Sequence, residues 1–269
     1  MKLKTIFSLL LIALFQLSSQ ANVTVLNGLT HIYSTDLGNT INGEIILKNT
    51  SSEQEERITV YLKDFNQLCD RKTKYFDIGT SEYSLAKWVS FNINEKVLAP
   101  QERFVISYQL VIPETEEELG KIQGTFWSMI MIEVDEPINE QEERGVQINS
   151  QIRYGIQLIA NIGQKINPEI EFNDVQLSKT EGGNYEVTVK LENKGIFLVK
   201  PSLILELIDD NGESILKTEA QFKKVYPDNC KDFVIEIANI PVGLYEGILI
   251  ADYGGDIYGI NLTVEITDN

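Results

Sequence analysis

The chain has 269 residues, a length that suits two ordinary domains, and 43% of them are hydrophobic, enough for each domain to build its own core. A formal net charge of −17 gives an acidic surface that repels phosphate backbones and so excludes nucleic-acid binding. His31 is the single histidine, and the chain carries no phosphate loop, dinucleotide fingerprint or nucleophile elbow, so no enzyme, cofactor or metal site is expected.

Lys2 and Lys4 precede an apolar run from Ile6 to Leu17, and Ser19-Gln20-Ala21 offers small residues to a signal peptidase. This is the layout of a cleaved secretory signal peptide over residues 1–21, too short for a comfortable transmembrane helix. The mature chain is therefore expected in the periplasm or secreted, with no membrane insertion after cleavage. Cys69 and Cys230 fall in different expected domains. They read as two separate buried thiols, with a bridge between the domains as the alternative.

Beyond the leader, period-two alternation dominates. Ile58, Val60 and Leu62 alternate with Arg57, Thr59 and Lys63. Tyr185, Val187, Val189 and Leu191 alternate with Glu186, Thr188, Lys190 and Glu192. Ile260, Leu262, Val264 and Ile266 alternate with Asn261, Thr263 and Glu265. Each run predicts a half-buried strand of an antiparallel sheet. Turn signals separate them, as at Asn49-Thr50-Ser51-Ser52, Ala99-Pro100-Gln101 and Asp209-Asp210-Asn211-Gly212. Glu114 to Leu119 is the nearest thing to a helix, one short turn. Strands at such spacing without helices between them predict an all-β fold of two tandem immunoglobulin-like β-sandwiches. Gly163-Gln164-Lys165-Ile166-Asn167-Pro168 reads as the boundary, giving domains over 22–164 and 165–269.

Within these domains several residues invite a functional reading and receive a structural one. Trp88 and Trp127 sit in apolar, strand-like runs and read as core, with a ligand-stacking platform as the alternative. Tyr245, after Pro241 and Gly243, reads as a corner tyrosine whose hydroxyl ties a strand end to the backbone. The Asp209 to Glu213 acids lack the spacing of a calcium loop and read as a turn.

The segment from Val146 to Ile162 departs from a generic sandwich. Val146, Ile148, Ile152, Tyr154, Ile156, Leu158, Ala160 and Ile162 share one parity, and Gln147, Asn149, Gln151, Arg153 and Gln157 share the other. A run of that length would span ~55 Å at ~3.3 Å per residue, against ~20 Å for a usual strand. Either it bends into the second domain, or its first half projects with apolar side chains seeking a partner. The acidic stretch from Asp135 to Arg144, just before it, is consistent with a long mobile hairpin.

A last strand of this kind, behind a long loop and followed by a second immunoglobulin-like domain, resembles the periplasmic pilus chaperones. The stretch from Tyr83 to Val134 is also similar to the peptidoglycan-binding domain of WxL-interacting surface proteins, through Tyr83-Ser84-Leu85-Ala86-Lys87-Trp88, Leu98-Ala99-Pro100, Val111-Ile112-Pro113 and Gly124-Thr125-Phe126-Trp127-Ser128-Met129-Ile130. The chaperone resemblance implies a protein partner, a fibre or pilus subunit. Val146, Ile148, Ile152, Arg153 and Tyr154 would bind it, the apolar side chains entering an open groove of the subunit while backbone hydrogen bonds extend the sheet. It also implies a basic pair in the cleft between domains that grips the subunit's terminal carboxylate. Arg153 stands at the later position, and Thr30 or His31, neither a fixed cation, at the earlier one. The second resemblance implies an envelope scaffold or adhesin-like module in contact with peptidoglycan or surface glycan.

Overall fold

A computed structural model describes residues 22–70, 72–115, 117, 123–135, 151–253 and 257–267. The alternating runs become strands, and the strands up to Ile162 and from Ile170 onward fall into separate sheets. The fold is all-β. Among the described residues the helical elements include one 3-10 turn, Ala86–Trp88, which replaces the strand expected around Trp88. No helix there is long and apolar enough to cross a membrane. The Glu114 to Leu119 turn lies largely outside the described residues, as does the leader.

In the first half, β1 (Val23–Val25), β3 (Thr40–Asn49), β8 (Arg103–Val111) and β6 (Val89–Phe91) form one sheet in the order β1-β3-β8-β6. The facing sheet has the order β2-β10-β9-β4-β5, from β2 (Thr30–Thr35), β10 (Ile152–Ile162), β9 (Gly124–Asp135), β4 (Glu56–Gln67) and β5 (Thr73–Phe76), with β7 (Glu95–Leu98) also on β4. The chain therefore changes sheet between β1 and β2. The inward parities meet in a single core that includes Ile45, Leu47, Ile58, Ile106, Leu110, Phe126, Ile130 and Leu158. Burial of this apolar surface is what holds the two sheets together.

The second half repeats the architecture. β11 (Ile170–Lys179), β12 (Tyr185–Asn193) and β15 (Asn229–Ile237) face a sheet of order β14-β13-β16-β17, built from β13 (Ser202–Ile208), β14 (Ser214–Ala220), β16 (Gly243–Asp252) and β17 (Ile257–Ile266). Val187, Val189 and Leu191 enter the core with Leu203, Leu205, Phe233 and Leu249, while Glu186 and Lys190 of the same strand stay at its wetter face. Tyr245 donates from its hydroxyl to the Pro241 carbonyl at 2.8 Å, the corner bond expected of it. The Asp209 carboxylate accepts from the backbone amides of Asn211 and Glu213, both at 2.9 Å, and so closes the β13–β14 turn.

The halves also share a device that their sequences do not advertise. Asn49 ends β3 and Asn193 ends β12, and both are fully buried. Asn49 donates to the Gln54 and Ala99 carbonyls at 2.8 and 3.1 Å, and accepts from the Ser51 amide. Asn193 donates to the Phe197 and Val225 carbonyls at 2.8 and 3.0 Å, and accepts from the Gly195 amide. Each side chain satisfies loop backbone that would otherwise be buried without partners.

Candidate functional site: an open strand edge beside an interdomain cleft

β10 is the element around which the first half is organised. It pairs antiparallel with β9 over its full length, Ile152 opposite Val134 through Ile162 opposite Gly124. On its other side it pairs with β2, in parallel, from Gln157 opposite Thr30 to Ile162 opposite Thr35. The Gln157 amide also donates to the Leu29 carbonyl at 2.9 Å, which marks where that pairing begins. Residues 152–156 therefore have a strand on one side alone among the described residues. Because amides alternate along a strand, those of Arg153 and Gly155 point the same way as that of Gln157, toward the side with no described neighbour. Leu26 and Leu29, which lead from β1 to β2, are about half exposed, at 51% and 49%.

The sequence-predicted residues divide by position. Val146 and Ile148 lie outside the described residues, and so does the acidic stretch from 136 to 144. The described strand starts at Ile152. Ile152 and Tyr154 have the expected parity, facing their own core, where both are partly buried. Tyr154 also donates its hydroxyl to the Val23 carbonyl. Arg153 points the opposite way, is exposed, and pairs its Nε with Glu133 Oε2 at 2.9 Å. Tyr61 donates to the same carboxylate at 2.9 Å. Desolvation alone would raise Glu133, but the hydrogen bonds from Tyr61, Arg153 and Gln151 hold it below the ordinary glutamate range.

Arg153 is thus committed to Glu133, upstream of the cleft between the halves. Thr30 and Gln157, which pair across β2 and β10, face that cleft, while His31 turns to the other side and meets the Tyr108 hydroxyl at 2.6 Å. The cation in the cleft comes from the second half. Lys224 reaches over to donate to Gln157 Oε1 and, at 3.2 Å, to Thr30 Oγ1. Tyr226 donates to the same Gln157 oxygen at 3.2 Å. Lys224's neighbours here are neutral oxygens, and burial, followed by the nearby Lys200 charge, lowers its pKa. Nothing near Lys224 in the sequence marks it, because its role depends on how the two halves meet.

That meeting is closely specified. Phe65, Tyr83, Trp127, Met129, Met131 and Ile159 of the first half cluster with Tyr226 of the second. Trp127 is 2% exposed, stacks on Tyr83 with centroids 4.7 Å apart, and donates its indole N–H to the Phe65 carbonyl at 2.8 Å. It is therefore not a platform open to a ligand. Trp88 is partly buried against Phe126. Backbone joins backbone at Gly124, where the Thr125 amide donates to the Ile196 carbonyl at 2.8 Å. A Cβ on Gly124 would come within 2.9 Å of that oxygen, and its φ of +142° also favours glycine. Thr125 Oγ1 accepts from the Leu198 amide at 2.7 Å.

Cys69 and Cys230 form a disulfide across this junction, their Cα atoms 4.7 Å apart. The expectation of two separate thiols is corrected. The turn after β4 reaches the start of β15, where the Asp232 amide donates to the Cys69 carbonyl at 3.2 Å. Two cysteines 161 residues apart can bridge only when the domain arrangement brings them together, and strand periodicity says nothing about that arrangement.

No family model and no curated relative matches the sequence. Among solved structures, the chain is similar to one from the chaperone–tip adhesin complex of CFA/I fimbriae, at 13% identity and a TM-score of 0.48, covering 90% of this chain and 98% of that one. It is similar to the class 5 fimbriae chaperone CfaA at 14% identity and 0.46, covering 91% and 100%. It is also similar to the Escherichia coli chaperone DraB at 10% and 0.42, covering 90% and 98%. The likeness is one of fold, and what those proteins hold is a property of theirs.

Proposed function

We propose that this is an exported, periplasmic, non-enzymatic protein that holds a subunit of a surface fibre by lending it the free edge of β10. The observation that carries the reading is the unequal pairing of one strand, with β2 covering residues 157–162 and no described strand covering 152–156. An unpaired edge invites strand addition, and proteins normally blunt such edges unless they are used. A subunit strand laid along residues 152–156 would take up the Arg153 and Gly155 amides. Val146 and Ile148, of the same parity as Ile152, would enter the subunit's own core. Each such side chain contributes roughly 1.5–3 kcal/mol gross on burial, before the cost of ordering the partner.

The cleft supports the same reading. Lys224 is a partly desolvated ammonium held by neutral oxygens at the downstream end of the free edge. It would accept the terminal carboxylate of a partner whose last residues run up that edge, and the pairing would restore its pKa.

The test uses tagged chain with Ile148→Asp and Ile152→Asp, and recovery of bound proteins from a periplasmic extract. Loss of the co-purifying subunit, with the chain still folded by circular dichroism, is the expected result. Undiminished recovery contradicts the proposal. Lys224→Met separates the two contacts, since it should weaken capture of a subunit with a free C-terminus and leave capture of a C-terminally amidated version unchanged.

A further inference from the structure

The outer face of the first sheet carries a second feature that strand lending does not use. Neighbouring strands place Asn42 opposite Gln109 and Glu44 opposite Ser107, with Ser90 also opposite Gln109 and Asn92 beside Ser107. All six are exposed, and all are short or uncharged except Glu44. They line an open groove of about 790 Å³, bordered by His31 and Phe91.

The amides in this groove are already oriented. Gln109 Nε2 donates to Asn42 Oδ1 at 3.2 Å, leaving the Asn42 amide hydrogens and a Gln109 oxygen for a ligand. Asn92 Oδ1 accepts from the Ser107 amide at 3.0 Å, which turns its NH₂ outward. Beneath the groove, Tyr108 crosses Gly43, where a Cβ would lie 2.1 Å from its ring, and reaches the Tyr33 hydroxyl at 2.8 Å as well as His31. The wall is therefore fixed by bonds between the two sheets.

The chemistry of the lining selects the ligand. Among the described residues no lysine or arginine lines the groove, so a phosphate, sulfate or uronate has no counter-charge and meets Glu44. A single carboxylate among amides is too few oxygens for a hard cation. Paired amides, hydroxyls and one carboxylate acceptor, with the half-exposed Ile32 at the border, suit vicinal hydroxyl groups on a ring with an apolar face. We infer that this groove is a binding site for a neutral oligosaccharide.

The probes are maltotetraose, cellotetraose and chitotetraose, offered to the full mature chain at about 5 mM, within the weak-affinity range of an open site. Saturation-transfer NMR is expected to show transfer to at least one of them. Asn42→Ala with Asn92→Ala should weaken that binding by about fivefold or more, as lost hydrogen bonds to an oriented ligand do. Ser107→Phe, which fills the groove without removing an amide, should abolish it. Both variants alter exposed positions, and an unchanged melting temperature certifies the fold. The inference is overturned if none of the three sugars receives saturation, if binding persists undiminished in both variants, or if the groove takes up an extended peptide in their place. Recovery of a protein partner through β10 is a separate readout that these variants should leave intact.

Discussion

The two ends of β10 are made of similar residues and have different fates. Leu158, Ala160 and Ile162 are fully buried between the sheets, with β9 on one side, β2 on the other, and the second half of the molecule over the face that carries Ile159. Ile152 and Tyr154 continue the same parity, yet are partly buried, and among the described residues their strand has a neighbour on one side. Alternation in sequence sets which way a side chain points, and the neighbours decide whether the backbone is finished. An apolar strand whose described pairing stops midway is stable where it is covered and, on the reading proposed above, available where it is not.

The largest effect should come from breaking the covered end. Leu158→Ala leaves a cavity in a fully packed core and is expected to destabilise the chain by about 2–5 kcal/mol, whereas Ile152→Ala, at a partly exposed position, should cost under about 1.5 kcal/mol. Denaturant melts of the two variants measure the difference, and equal losses would mean that the upstream end is as well covered as the downstream one.

Next comes the junction that keeps the covered end covered. Cys69→Ser with Cys230→Ser removes a link spanning 161 residues. It should lower stability by about 2–4 kcal/mol, chiefly by freeing the unfolded chain. The reading is sharpened by where the change appears in hydrogen exchange. The Ile159 and Trp127 amides should lose protection, while the core of the second half, around Leu203 and Leu249, should not.

Much of this was legible in the residues, and the boundary of legibility has a physical cause. Strands such as Tyr185–Asn193 and Ile257–Ile266 announce themselves because burial of one face leaves a period of two in the sequence. The Tyr245 corner was readable because its partner lies nearby in the chain. Trp88 misled because a single 3-10 turn interrupts an apolar run without changing its composition. The disulfide, the Lys224 contact with Gln157 and the Tyr83–Asp228 hydrogen bond could not be read, because each joins residues from the two halves and so depends on how they dock. The groove on the outer sheet face was missed for a related reason, since Asn42, Ser90 and Gln109 look like ordinary wet-face residues until the register places them side by side.

The smallest expected effect concerns the outer face of the open end. Glu133 is depressed in the folded chain, so its contribution is fully present above the ordinary glutamate pKa of ~4.3 and is lost as pH falls through the lower folded value. Glu133→Gln should therefore cost about 0.5 kcal/mol at neutral pH, the modest worth of an exposed pair, and nothing in strong acid. A pH series of thermal melts of both chains should converge at the acid end.

Residue-resolved hydrogen exchange along β10 tests the central claim most directly. In the free chain the Arg153 and Gly155 amides should exchange like those of a loop, about a hundredfold or more faster than the Gln157 and Ile159 amides. They should slow when a subunit is captured. Strong protection of Arg153 and Gly155 in the free chain would mean that the molecule already covers this edge itself, and the lending of a strand would have no backbone left to lend.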